Sequence, residues 1–124
     1  MVFKKLIVFF AVTLIFLGCS NHDQVTIDSI NAAEVLEINP DADIFQLNGI
    51  IYETNIDWVD QLTLTKDAQM GKILINNETN TNFKDGTANK LPVGTIIFSV
   101  KERDDIVIVE VNGELKKYLA IVEG

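Results

Sequence analysis

Two Asn-Gly pairs constrain this chain more than any other feature. Asn48-Gly49 separates IFQL at residues 44–47 from IIYE at residues 50–53. Asn112-Gly113 separates IVIVEV at residues 106–111 from ELKKYLAIV at residues 114–122. Asn-Gly readily takes the positive φ angles of a type I′ turn, whose twist matches that of antiparallel strands. The flanking runs are rich in Ile, Val and aromatic residues, so each spacing predicts a β-hairpin.

Further strands are expected at residues 62–65, where apolar and polar side chains alternate, at 70–75 and at 95–100. Gly71 marks a bulge or a close backbone approach in the second of these. Turns are expected at residues 41–43, 66–69, 83–86 and 101–105, and at Leu91-Pro92-Val93-Gly94, where Pro fixes φ and Gly supplies freedom. Residues 76–82 are Asn- and Thr-rich without an apolar side chain, which reads as an exposed loop.

Helical signals are few. Asn31-Ala32-Ala33-Glu34 has the form of a capping box with Asn in the first position, and Asn39-Pro40 stops the helix that the box opens. The spacing predicts about two turns over residues 32–38, with Val35 and Leu36 facing the core. A short strand is expected at residues 25–30. Thr54-Asn55 is read as the cap of a helical turn carrying Trp58 and Val59; the alternative is irregular chain with Trp58 covering the open side of the sheet. The expected fold is α+β and mostly β: a small antiparallel sheet or barrel built from hairpins, with one or two short helices.

The N-terminus specifies location. Lys4 and Lys5 precede an apolar run over residues 6–17, and Gly18-Cys19 close it. Charge, apolar core and a small residue at the cut are the layout of an export signal. The run falls short of the ~20 apolar residues of a spanning helix. Phe16-Leu17-Gly18-Cys19 resembles the lipobox of bacterial lipoproteins, with Phe16 and Leu17 departing from the preferred residues. That resemblance implies cleavage between Gly18 and Cys19 and a diacylglyceryl group on the Cys19 sulfur. It also implies a site on the extracytoplasmic face of a bacterial membrane. Cys19 is the one cysteine in the chain. The expected organisation is a signal peptide at 1–18, a lipidated cysteine and tether at 19–24, and one small β-rich domain at 25–124.

Loss of Lys4 and Lys5 with the signal moves the formal net charge from −8 to about −10. That balance argues against nucleic acid and against flat adsorption on anionic lipid. It suits a cationic partner or a merely solvated face. The sole histidine, His22, falls in the tether, which leaves the domain without a Ser-His-Asp set. A lipidated Cys19 has no thiol left for catalysis.

Two further resemblances lie in the mature chain. Leu91-Pro92-Val93-Gly94-Thr95 and Val111-Asn112-Gly113-Glu114 resemble the second half of bacterial SH3-like domains. Residues 41–124 also look like small secreted or lipid-anchored proteins of Gram-positive bacteria, a likeness that implies no activity. It is carried by Ala42-Asp43-Ile44-Phe45, Gly49-Ile50-Ile51-Tyr52, Trp58-Val59, residues 83–88 (FKDGTA), residues 90–95 (KLPVGT) and Glu123-Gly124.

Candidate chemistry is sparse. Asn39, Asp41 and Asp43 have the spacing of the first three ligands of a calcium loop, but Ile44 and Ile50 stand where such a loop needs Gly and Glu. Asp57/Asp60 and Asp104/Asp105 are the carboxylate pairs a glycoside hydrolase would need, although turns and capping account for both. The reading is therefore a lipid-anchored interaction module, with Glu53, Asp57, Trp58 and Asp60 as its candidate surface. Its expected partners are the membrane, through the anchor, and a protein or envelope component; no cofactor, metal or nucleic acid is called for. The alternatives are a carboxylate-dependent enzyme acting on envelope carbohydrate, or a weak metal or small-ligand binder.

Overall fold

The computed structural model describes residues 30–122. The signal, the anchor at Gly18 and Cys19 and most of the expected strand at 25–30 lie outside the described residues. No helix among the described residues is long and apolar enough to cross a membrane.

Helix α1 (Ala32–Ile38) begins as expected. The Asn31 side chain accepts from the Glu34 N–H at 2.9 Å, and the Glu34 carboxylate accepts from the Asn31 N–H at 3.0 Å. Two N-terminal donors that the helix cannot satisfy internally are thereby paired. Ala32 and Val35 are buried and Leu36 is half-buried.

Strands β1 (Ile44–Leu47) and β2 (Ile50–Glu53) pair across Asn48-Gly49, whose φ angles are 53° and 78°. The chain continues through α2 (Asp57–Asp60), β3 (Lys66–Lys72), β4 (Ile75–Asn76), β5 (Thr87–Ala88) and β6 (Ile96–Val100). Strands β7 (Ile106–Val111) and β8 (Glu114–Ile121) form the second expected hairpin, with Asn112 and Gly113 at φ 52° and 80°. All eight strands form one sheet in the order β3-β6-β7-β8-β2-β1-β5-β4, antiparallel except between β4 and β5.

The order forces a curl. β3 and β4 occupy opposite ends of the sheet, yet only Ile73 and Leu74 join them. Three Cα steps span about 10 Å at most, so the ends must bend toward each other. The result is an open, curled sheet, a half-barrel. The joining residues are tied to both sides. Ile73 donates to the Thr95 carbonyl and accepts from the Gly94 N–H, each at 2.8 Å, and Leu74 donates to the Gly86 carbonyl at 2.7 Å.

Alternation along the strands sorts the side chains onto two faces. Phe45, Tyr52, Ile97, Val107, Val109 and Tyr118 meet Ile73, Ala88 and Leu91 inside the curl. Ile44 and Ile51 face outward and are covered by Ala32 and Val35 of α1. Ile106, Ile108 and Val100 also face outward, beneath Val59 of α2. Strand β7 is thus buried on both faces at its first four positions, which explains its unbroken apolar run.

The middle of the chain departs from the sequence reading. Residues 62–65 form no strand, while residues 66–69, read as a turn, open β3. Leu62 and Leu64 pack against the cluster around Val59, so their alternation reflects burial without strand pairing. Strand β3 is a polar edge strand that borrows its conformation from β6. Its register slips between Lys66 and Gln69 and again before Gly71. The expectation of a bulge at Gly71 is met by the register shift there, while the near neighbour is a side chain: a Cβ would stand 3.3 Å from Leu47 Cδ1.

Candidate functional site

Helix α2 is one turn long, and its termini explain how so short an element is fixed. The expected cap does not form: Ile56 is the N-cap without a side-chain bond, and Thr54 Oγ1 instead donates to the Lys117 carbonyl at 2.7 Å. Asn55 takes φ 66°, which turns the chain into the helix. Val59 is fully buried beneath it. At the other end Lys117 Nζ donates to the carbonyls of Asp60 at 3.0 Å and Leu62 at 2.6 Å. A cation there satisfies carbonyls the helix leaves open and complements its dipole.

This anchoring holds Trp58 on the outer side of the turn, 48% exposed. The Arg103 guanidinium lies over the indole, 5.3 Å from the ring centroid. Arg103 is itself held by Asp105, with Nε–Oδ1 at 2.8 Å and Nη2–Oδ2 at 2.9 Å. The paired fork fixes the plane of the guanidinium, and a cation over an aromatic face is attracted by its quadrupole. The same contact holds the Asp105 carboxyl below the usual carboxylate range and raises Arg103 above its ordinary value.

Of the four predicted surface residues, Asp57, Trp58 and Asp60 share this turn, and both aspartates are exposed. Glu53 ends β2, half-buried, and lines a groove of about 470 Å³ beside α1 with Val35, Ile38 and Ile121. Of the carboxylate pairs, Asp105 is committed to Arg103 while Asp104 is exposed. The three residues with calcium-loop spacing do not act together. Asn39 Oδ1 accepts from the Asp41 N–H at 3.2 Å, whereas Asp43 is buried. Among the described residues no three His, Cys, Asp or Glu side chains group as a metal site.

Asp43 instead accepts from Tyr118 Oη at 2.7 Å and from Lys116 Nζ at 3.0 Å. Burial, and then the Asp43 charge, push the Tyr118 hydroxyl far above its ordinary pKa, so it remains a donor. Sequence reasoning missed this group and missed Arg103 beside Trp58. For the first a signal existed: Lys116 is two residues before Tyr118 on one strand, so both side chains point inward, and an inward lysine needs an acid. For Arg103 no local signal existed, because 45 positions of chain separate it from Trp58.

Comparison with family models, curated proteins and solved structures returns no match. The functional reading therefore rests on sequence and geometry.

Proposed function

We propose that the protein is a lipid-anchored module on the extracytoplasmic face of a bacterial membrane, and that it binds a protein or envelope partner through the Trp58 turn. The observation that carries this reading is Cys19: the only cysteine in the chain, directly after Gly18 at the end of a charged-then-apolar leader. A diacylglyceryl group gives stable membrane attachment where one acyl chain gives only marginal binding.

Three features support the Trp58 turn as the contact. The indole is half-exposed, so it has area left to bury. Lys117 and Arg103 hold it in place, so little freedom remains to be lost on binding. Asp57 and Asp60 flank it with negative charge, which favours a cationic partner surface. Aromatic side chains that become buried on binding commonly dominate interface energetics.

Mass spectrometry of the mature N-terminus tests the anchor. The reading predicts a chain beginning at Cys19 and carrying the mass of a diacylglyceryl group. A chain with residues 1–18 retained, or an unmodified cysteine, contradicts it. Capture of partners with Trp58→Ala beside the native protein tests the surface. Loss of the partner is expected, and full retention places the contact elsewhere.

A further inference from the structure

The apolar surface at α2 does not end with the helix. Side chains alternate along a strand, so β8 turns Leu115, Lys117 and Leu119 to one face of the sheet. Leu119 packs with Val59, Ile106 and Ile108 beneath α2. Lys117 reaches the carbonyls at the end of that helix. Leu115 continues the row, about 13 Å along the strand from Leu119. It stands outside the cluster that α2 covers and is 55% exposed.

Trp58 lies toward the other end of this row. Its ring carries the Arg103 guanidinium, and Arg103 is held by Asp105. Asp105 directly precedes Ile106, the register partner of Leu119. Between the two ends, Lys117 holds the carbonyl of Leu62, which is half-buried on the same cluster. The row therefore has an exposed, large apolar side chain at each end.

The charges along it are unevenly matched. Arg103 is paired with Asp105, and Lys66 with Glu110, which stands opposite Leu115 on β7. Lys117 directs its donors to backbone carbonyls. Asp57 and Asp60 are exposed, and no cation among the described residues forms an ion pair with either. Apolar ends beside unmatched carboxylates complement a segment that carries both apolar and cationic side chains. The same carboxylates, on a chain of formal net charge −8, repel an anionic lipid surface and a second copy of this face.

We propose that the partner bound at the Trp58 turn presents a basic amphipathic segment, and that the segment runs along β8 from Trp58 to Leu115. This assignment rests on the Trp58 turn being the contact and adds Leu115 as a second apolar anchor. Cationic side chains of the segment face Asp57 and Asp60, while its apolar side chains meet the indole and Leu115. A helix covers 13 Å in about nine residues, so a segment of two to three turns suffices.

Trp58 is the one tryptophan in the chain, so its emission reports occupancy. The probe is a synthetic peptide of about 14 residues, leucine and lysine only, with the leucines at helical spacing. A twin peptide carries glutamate in place of lysine. The full chain, reconstituted in uncharged phosphatidylcholine vesicles, is titrated with each. The lysine peptide is expected to shift Trp58 emission to the blue and to saturate, and the glutamate peptide to leave it unchanged. Leu115→Ser is expected to raise the half-saturating concentration about five-fold or more, since it removes an apolar anchor. Val93→Ser, at a comparably exposed apolar position, is expected to leave it unchanged. A shift that Leu115→Ser does not weaken overturns the path along β8 and leaves the Trp58 turn as the contact. No shift with the lysine peptide, or the same shift with both peptides, overturns the basic occupant. Whether the turn is a contact at all is decided separately, by partner capture with Trp58→Ala.

Discussion

Asp43 accepts two hydrogen bonds where only 5% of its surface meets solvent. Removing it would leave the Tyr118 hydroxyl buried without an acceptor and Lys116 without its counter-charge. Asp43→Ala is expected to cost about 3 kcal/mol, the scale of a broken buried pair, and Tyr118→Phe about 1–2 kcal/mol. Urea unfolding checks both values. An Asp43→Ala midpoint equal to that of the native protein would contradict this account. Three carboxylates with lowered pKa values contribute to the acid response. The Gly49 N–H and the Gln46 side chain hold Asp85 below the usual range, Thr65 does so for Glu102, and Arg103 for Asp105. Each folded pKa lies below its unfolded value, so the unfolded chain binds more protons in acid. The stability these groups supply is present above the unfolded carboxylate range and is lost as pH falls through the folded values. The urea midpoint should hold from pH 7 to about 5 and fall below about pH 4. Asp85→Ala should have a shallower fall, and an identical profile would remove Asp85 from this role.

At the scale of elements, turns make the sharpest prediction. Gly86 has φ 88°, and a Cβ there would stand 3.0 Å from Leu74 Cγ; Gly49 has φ 78° with open space around it. Gly49→Ala should therefore cost only the left-handed strain, about 1–2 kcal/mol. Gly86→Ala adds overpacking of about 1–3 kcal/mol. Thermal melts should rank Gly86→Ala well below Gly49→Ala, and the reverse order would place Leu74 elsewhere. The same scale separates what local sequence encodes from what it does not. Helix α1 and both hairpins were legible because each carries its own stop and start: a capping box, Asn39-Pro40, Asn48-Gly49 and Asn112-Gly113. Strand β3 was not, because Lys66-Asp67-Ala68-Gln69 is polar and becomes a strand only by pairing with β6, some 30 residues away. Residues 62–65 mislead for the opposite reason, since Leu62 and Leu64 alternate inward without a partner strand. At the candidate site Trp58 and its helical turn were visible from sequence. The Arg103–Asp105 fork beside the indole, and the Lys117 contact that pins the turn, depend on chain crossings that no local pattern records.

For the whole molecule, the half-barrel supplies rigidity and the outer helices supply the surfaces that differ from plain sheet. Helix α2 presents Trp58 over one outer cluster, and α1 covers the other. Attachment at Cys19 would then set how far the Trp58 turn stands from the bilayer. The most direct test of the anchored module is photocrosslinking in cells, with a photoreactive residue at position 58 and a Cys19→Ala counterpart beside it. The account predicts one discrete crosslinked species that requires the native Cys19 and disappears when the photoreactive residue is moved to position 93. No discrete species from displayed protein, or the same species from both positions and with Cys19→Ala, would contradict it.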